Sequence, residues 1–428
     1  MQEEKSVCII GLGYVGLPLA CLCARKGFQV FGLDIDAEKV KKINAGLSPI
    51  DDENLKKEIK ELKGKILAST DEKIVSKSDI VVVCVPTPID EKKLPNLVPL
   101  QNACKYIEEN MNKNQLIIIE STINPGVMEE IVLPVLEANG KKHEKFFLLA
   151  HCPERIDPGN KKWNVKNIPR VVGGINKEAT QKAVEFYESV LEAGIKPLSS
   201  VKAAEAVKIM ENTFRDINIA FVNELAQSFD KMNIDIKEVI DGASTKPFGF
   251  MPFFPGPGVG GHCISVDPYY LIERAKQNGF THEFLILARK INESMPFHVV
   301  ELIEKALNEK NKKINNSKIA ILGLAFKPNV DDIRDSPSLH VINELQKRKV
   351  NLKIFDPWVP SKSNTKSLDD CLKDADLVVL LTHHSHFVEK LSPNLLKQFK
   401  INAIVDARNC LDKEVFEKEG IYYKGIGR

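Results

Sequence analysis

Cys263 closes a run of nine residues, Pro255-Gly256-Pro257-Gly258-Val259-Gly260-Gly261-His262-Cys263, that holds four glycines and two prolines. Such a run forms neither a regular helix nor a strand. It can form a loop whose backbone lies close against a ligand, because glycine has no Cβ and reaches positive φ cheaply. Asp267 follows the cysteine by four residues. If a helix begins at Cys263, thiol and carboxylate share one face, and the thiol sits at the positive helix end, which favours thiolate. The rest of the chain must say what that thiolate would attack.

A second chemical motif stands at the start. Ser6 to Ile10 is a β-branched run, followed by Gly11-Leu12-Gly13-Tyr14-Val15-Gly16 and a helical stretch from Leu17 to Lys26. A second strand, Gln29 to Leu33, ends at Asp34, 18 residues past the last glycine. Strand, G-x-G-x-x-G, helix, strand and acid form the dinucleotide-binding pattern. Gly11 makes the turn, Gly13 lets a pyrophosphate approach, Gly16 permits close helix–strand packing, and the helix N-terminus faces the phosphates. Asp34 suits ribose hydroxyls and repels a 2′-phosphate, which favours NAD over NADP. Lys39 can reach the same edge.

Further α/β units follow. Asp79 to Val85 ends in Pro86-Thr87-Pro88, Leu116 to Ile119 ends in Glu120-Ser121-Thr122, and Phe146 to Ala150 ends in His151-Cys152-Pro153-Glu154-Arg155. Thr87, Thr122 and Glu154 thus fall at strand carboxyl ends, where open α/β sheets bind ligands. Val201 to Met232 reads as one long helix whose core stripe is Val207, Met210, Phe214, Ile217, Phe221, Leu225 and Phe229. Lys208, Asn212 and Arg215 lie on a neighbouring face. A helix of that length suits a connector between domains and a dimer seam. After a helix from Phe284 to Lys310 the chain repeats itself: Lys318-Ile319-Ala320-Ile321-Leu322-Gly323-Leu324-Ala325 echoes the first strand and turn, and Lys353 to Asp356 echoes the strand ending at Asp34. One glycine of the fingerprint remains and Lys327 follows it. This copy suits something other than a dinucleotide, and Lys327, Arg334 and Arg408 suit phosphates.

The expected fold class is α/β, with two Rossmann-like, doubly wound parallel-sheet domains joined by a long central helix and a helical region. The expected divisions are 1–200, 201–312 and 313–428. The 428 residues carry a formal charge of +2, 43% apolar and 28% charged residues, so no strong field points to nucleic acid or an anionic membrane. No long apolar run or signal peptide stands out, and the expected location is the cytoplasm. The nine cysteines are scattered without Cys-x-x-Cys pairs, which argues against a disulfide framework and a zinc site. Most sit in apolar runs as small buried hydrophobes.

A nicotinamide domain, a phosphate-suited domain and a cysteine loop together suggest oxidation of a phosphate-bearing substrate. Oxidising an alcohol to a ketone needs a base and no thiol. Oxidising an aldehyde to an acid uses one: thiolate adds, hydride leaves to give a thioester, and water hydrolyses it.

These residues resemble the UDP-glucose/GDP-mannose dehydrogenases, and within them the UDP-N-acetylhexosamine branch. The resemblance spans essentially the whole chain. It rests on Gly11 to Gly16, Val85-Pro86-Thr87-Pro88, Glu120-Ser121-Thr122, Pro153-Glu154-Arg155, Glu205-Ala206-Val207-Lys208 with Asn212, Gly258 to Cys263 with Asp267, and Gly323-Leu324-Ala325-Phe326-Lys327. It implies four-electron oxidation of the C6 hydroxymethyl of a UDP-sugar to a carboxylate, with two NAD reduced per turnover. It implies Cys263 as nucleophile, Lys208 and Asn212 as oxyanion donors, Asp267 as a water-orienting acid, Glu154 as general base and Thr122 as water holder. Gly11, Gly13, Tyr14, Val15, Gly16, Asp34, Lys39, Pro86, Thr87, Thr122 and Arg334 match cofactor positions. Glu154, Arg155, Lys208, Asn212, Arg215, Lys246, Phe248, Gly260, Phe326, Lys327 and Arg408 match substrate positions. No metal is implied, and a homodimer or higher homo-oligomer is.

Two departures separate the chain from plain UDP-glucose enzymes: Arg155-Ile156-Asp157-Pro158-Gly159 lacks their second acid after Glu154, and Val266 stands where they carry lysine. UDP-glucose oxidation remains an alternative at this stage. So do a two-electron dehydrogenase with an inert Cys263, a nucleotide-sugar epimerase using NAD transiently, and a sensor without turnover. UDP-GlcNAc and UDP-ManNAc are not distinguished, and His262 receives no role.

Overall fold

Continuous β-branched runs become the central strands of two sheets, because a parallel strand is covered on both faces. A computed structural model describes residues 5–428 apart from 89, 91–94, 144, 157–159, 161, 262 and 263. His262 and Cys263 therefore lie outside the described residues, as does the 157–159 stretch. The described chain divides into two units, one of residues 1–211 and 269–278, the other of 212–268 and 279–428.

The first unit holds an eight-stranded sheet in the order β3-β2-β1-β4-β5-β6-β7-β8. Its strands are β1 Ser6–Ile10, β2 Gln29–Leu33, β3 Ile66–Ser69, β4 Ile80–Val83, β5 Gln115–Ile119, β6 Phe147–His151, β7 Arg170–Gly174 and β8 Ile195–Pro197. The strands from β1 to β6 pair in parallel, and β7 runs antiparallel to β6. Side chains alternate between two core layers: Val7 and Ile9 enter one, Cys8 and Ile10 the other. Strand order reverses between β1 and β4, the place where a doubly wound sheet opens a ligand crevice.

The second unit holds five parallel strands in the order β10-β9-β11-β12-β13. They are β9 Lys318–Leu322, β10 Asn351–Phe355, β11 Leu377–Leu380, β12 Ala403–Asp406 and β13 Tyr422–Gly425. The repeat read from the sequence extends to the turn itself. Gly11 (φ 92) donates its N–H to the Leu33 carbonyl at 2.8 Å, and Gly323 (φ 95) donates to Phe355 at 3.0 Å. Asp34 accepts from the Leu12 N–H at 2.8 Å, and Asp356 from the Leu324 N–H at 2.6 Å.

The long helix runs Val201–Lys231, as expected, but its inward face is not the expected one. Met210, Phe214 and Phe221 of the anticipated core stripe are 72%, 48% and 54% exposed. The buried face carries Glu205, Lys208, Asn212, Asp216 and Asn223. These polar groups tolerate burial through specific partners: Glu205 accepts from the N–H groups of Gly126 (2.7 Å) and Met128 (2.9 Å). The helix after the loop is Asp267–Gln277, so Asp267 stands in its first turn, while the expected start at Cys263 lies outside the described residues.

Candidate active site

In the first unit the glycine turn has the shape that the pattern demands. A Cβ on Gly11 would lie 2.7 Å from the Cys84 carbonyl oxygen, and one on Gly16 would lie 2.0 Å from that of Gly11. A Cβ on Gly13 would meet nothing within 4 Å, which leaves its backbone approachable. Tyr14 is exposed, Val15 half-buried, and the helix Gly16–Arg25 starts directly behind them. The Asp34 carboxylate is buried and oriented by three donors: Leu12 N–H, Asp36 N–H at 3.0 Å and the Lys39 ammonium at 2.8 Å. Glycine cradle, helix N-terminus and oriented carboxylate fit a dinucleotide.

The carboxyl ends of β4, β5 and β6 are tied together beside it. The Thr87 hydroxyl donates to the Thr122 carbonyl at 2.7 Å, the Ser121 hydroxyl donates to the Val85 carbonyl at 2.8 Å, and the Tyr270 hydroxyl donates to the Thr87 carbonyl at 2.5 Å. Pro86 is exposed next to them. The Glu154 N–H donates to the Glu120 carbonyl at 3.3 Å. Burial pushes the Glu154 carboxyl up to about 7, opposed by the positive charges of Lys208 and Arg170 and aided by Glu120. The same unit holds the buried Lys208, and a carboxyl near neutrality suits general base work. Sequence reasoning missed the two buried partners of Glu120, Arg170 and Tyr187. Arg170 and Glu120 are fully buried 3.2 Å apart, and Tyr187 donates its hydroxyl to Glu120 at 2.6 Å. Arg155 is engaged by Glu211 and by the Pro169 carbonyl at 3.0 Å.

In the second unit, Asn212 donates through Nδ2 to Asp267 Oδ2 at 2.6 Å, both side chains being buried. The glycine loop passes close over the sheet's ligand end. A Cβ on Gly256 would come within 3.0 Å of Arg408 Nη1, one on Gly260 within 2.6 Å of the Asp335 carbonyl and 2.9 Å of Phe326, and one on Gly261 within 2.8 Å of the Phe326 ring. The glycines are there because side chains would not fit. Arg408 donates through Nε to the Leu381 carbonyl at 2.8 Å. Burial pulls its pKa down to about 10, so it remains a cation at neutral pH. Gly260, Phe326 and Arg408 are therefore gathered, with Lys327 next in the chain. Arg334 is exposed and held by Asp332, with Nη2 2.6 Å from Oδ2. Lys246 lies 5.0 Å over the Phe248 ring, both exposed, and Arg215 is exposed on its helix.

The second copy's aspartate is committed to its own chain. Asp356 accepts from Leu324, Ala325 (3.1 Å) and Trp358 (2.8 Å) N–H groups and from His384 Nε2 at 3.0 Å. That arrangement accords with a loss of dinucleotide binding in this copy. Burial pushes Cys8, Cys104 and Cys152 up to about 12, which marks them as inert thiols.

Comparison with known proteins decides the family. Residues 5–191 match the NAD binding domain of the UDP-glucose/GDP-mannose dehydrogenase family, 202–294 its central domain and 320–413 its UDP binding domain. The chain belongs to that family. It is an NAD-dependent oxidoreductase. It is 35% identical over 430 residues to the UDP-N-acetyl-D-glucosamine 6-dehydrogenase of Pseudomonas aeruginosa, covering 96% of this chain and 99% of that one. It is 36% identical to the UDP-N-acetyl-D-mannosamine dehydrogenase of Methanocaldococcus jannaschii, with 99% and 97% covered. The solved UDP-D-ManNAc dehydrogenase from Pyrococcus horikoshii is similar across 99% of both chains, with a TM-score of 0.92 and 34% identity.

Proposed function

We propose that the chain oxidises the C6 hydroxymethyl of a UDP-N-acetylhexosamine, UDP-GlcNAc or UDP-ManNAc, to the carboxylate in two successive two-electron steps. NAD, when bound, accepts one hydride in each. The chain's own residues supply the rest. Lys208 and Asn212 stabilise negative charge on the C6 oxygen, the Cys263 thiolate adds to the aldehyde carbon, and the resulting thiohemiacetal collapses to a thioester once oxidised. Glu154 takes the proton from the water that cleaves the thioester, with Thr122 holding that water and Asp267 orienting the reacting groups. Lys327, Arg408, Phe326 and Gly260 hold the UDP portion, with Arg155, Arg215, Lys246 and Phe248 as further substrate contacts.

The observation that carries this reading is Glu154 at the carboxyl end of β6, its carboxyl raised by burial against the opposing charge of Lys208. Such a base serves the hydrolysis of a thioester. Full-length similarity to relatives named for both N-acetylhexosamines supports the substrate class. The outward apolar stripe of Met210, Phe214 and Phe221 supports a homodimer formed through this helix. Free buried thiols and a UDP-sugar acid as product support a cytoplasmic enzyme that feeds polysaccharide synthesis. Mass spectrometry of products from UDP-GlcNAc, UDP-ManNAc, UDP-GalNAc and UDP-glucose with NAD tests the assignment. A 6-carboxylate from the gluco or manno N-acetyl sugar is expected, and acid formed only from UDP-glucose would overturn it.

A further inference from the structure

The glycine loop is tied to the long helix by a side chain outside the proposed machinery. Within Pro255-Gly256-Pro257 the prolines have no N–H, so Gly256 holds the one backbone donor of that tripeptide. It donates to Asn223 Oδ1 at 2.9 Å, in a buried position. Asn223 is itself fixed. Its Nδ2 donates to Asn292 Oδ1 at 2.9 Å, and Asn292 Nδ2 donates to the Asp216 carbonyl at 3.0 Å and to Asp216 Oδ1 at 2.9 Å. Arg289 Nη1 closes the series with Asp216 Oδ1 at 2.6 Å. Asn223, Asn292, Asp216 and Arg289 are all buried.

Asn212 and Asn223 are eleven residues apart, close to three helical turns, so they share a face about 16 Å apart along the axis. One carboxamide holds Asp267 and the other holds Gly256. The loop thus has Gly256 and Asp267 each held by a side chain of one helix. Its middle is pressed down from the other side, where the Gly261 N–H donates to the Arg334 carbonyl at 3.0 Å. The amide assignment follows from the donors: Gly256 offers an N–H, so Asn223 must present its oxygen there, and its nitrogen is left for Asn292.

We propose that Asn223, held in register by Asn292, is a positioning residue that anchors the Gly256 end of the loop whose sequence carries Cys263. The inference rests on the dehydrogenase reading for its effect on turnover, but not for its effect on the loop. Reacting groups displaced by about 1 Å lose on the order of 10²-fold in rate, so a polar strut under the loop is expected to matter without touching substrate.

The test uses the full-length protein with Asn223→Ala and Asn292→Ala. Iodoacetamide labelling of Cys263, quantified by peptide mass spectrometry across pH, reads the loop without any substrate. Asn223→Ala is expected to change the labelling rate several-fold. It should lower kcat on the order of 10²-fold with the KM for NAD unchanged. Asn292→Ala should act in the same direction and less. Wild-type labelling and wild-type kcat in folded Asn223→Ala would overturn the proposal. Should that variant fail to fold, hydrogen exchange of wild-type Gly256 decides: a protected amide is expected, and exchange at the rate of an open loop would overturn it. If the wild type reduces no NAD with any UDP-sugar, the dehydrogenase reading falls, while labelling and exchange still judge the loop.

Discussion

Asn212 Nδ2 and Asp267 Oδ2 stand 2.6 Å apart with both side chains buried, one on the long helix and the other opening the helix that follows the glycine loop. The pair orients a carboxylate at a helix N-terminus, where negative charge is stabilised. Asn212→Ala removes a donor to Asp267 and, in the proposed reaction, one donor to the developing oxyanion. Its kcat should fall by roughly 10²-fold, the scale of one such donor. Steady-state kinetics with NAD and the accepted UDP-sugar check this.

Glu154 gives the reaction a pH dependence. With burial pushing its carboxyl up to about 7, the base form is scarce below that pH. Thioester breakdown in a single turnover should therefore quicken as pH rises through about 7, and Glu154→Gln should remove that limb and let acyl-enzyme accumulate. The linkage sign also follows. A carboxyl raised above its ordinary value of 4.5 contributes stability that is fully present below that value and is lost as pH rises through about 7. Rapid-quench mass spectrometry of Cys263 follows the first effect.

Asp34 has a lysine in reserve beside it. Removing the carboxylate in Asp34→Ala frees Lys39, now 2.8 Å away, to meet a 2′-phosphate. Losing hydrogen bonds to a charged acceptor costs about 1.5–3 kcal/mol, so the preference for NAD over NADP should shrink by about 10- to 100-fold. The ratio of kcat/KM for the two cofactors measures it.

Much of this arrangement could be read in the chain itself. The strands β1, β2, β4, β5, β6 and β9 are largely apolar runs, and β10 repeats the ending of β2 in an acid, a local signal, whereas β3 was not read from the sequence. The inward face of the long helix was not legible. The 3.6-residue period was present, but the apolar stripe of Met210, Phe214 and Phe221 points outward, and the buried polar face finds its partners far away in sequence. Asn223 meets Asn292 and Glu205 meets Gly126 through tertiary packing that no local pattern encodes. The start of the helix at Asp267 did carry a signal: aspartate followed at once by Pro268 reads as a cap and a first turn. Arg170 and Tyr187 left none, since each sits in an ordinary strand or helix pattern.

Glu205 tests that buried face directly. Glu205→Ala strips the acceptor from two buried N–H groups, Gly126 and Met128. At about 1–3 kcal/mol for each unsatisfied donor, the loss of stability should be several kcal/mol, visible in urea unfolding.

The four-electron claim turns on a count. NADH formed per UDP-N-acetylhexosamine consumed, measured by absorbance at completion with wild type and Cys263→Ser, should be two for the wild type, with net acid production abolished in the variant. A ratio of one, with Cys263→Ser as active as wild type, would contradict the account.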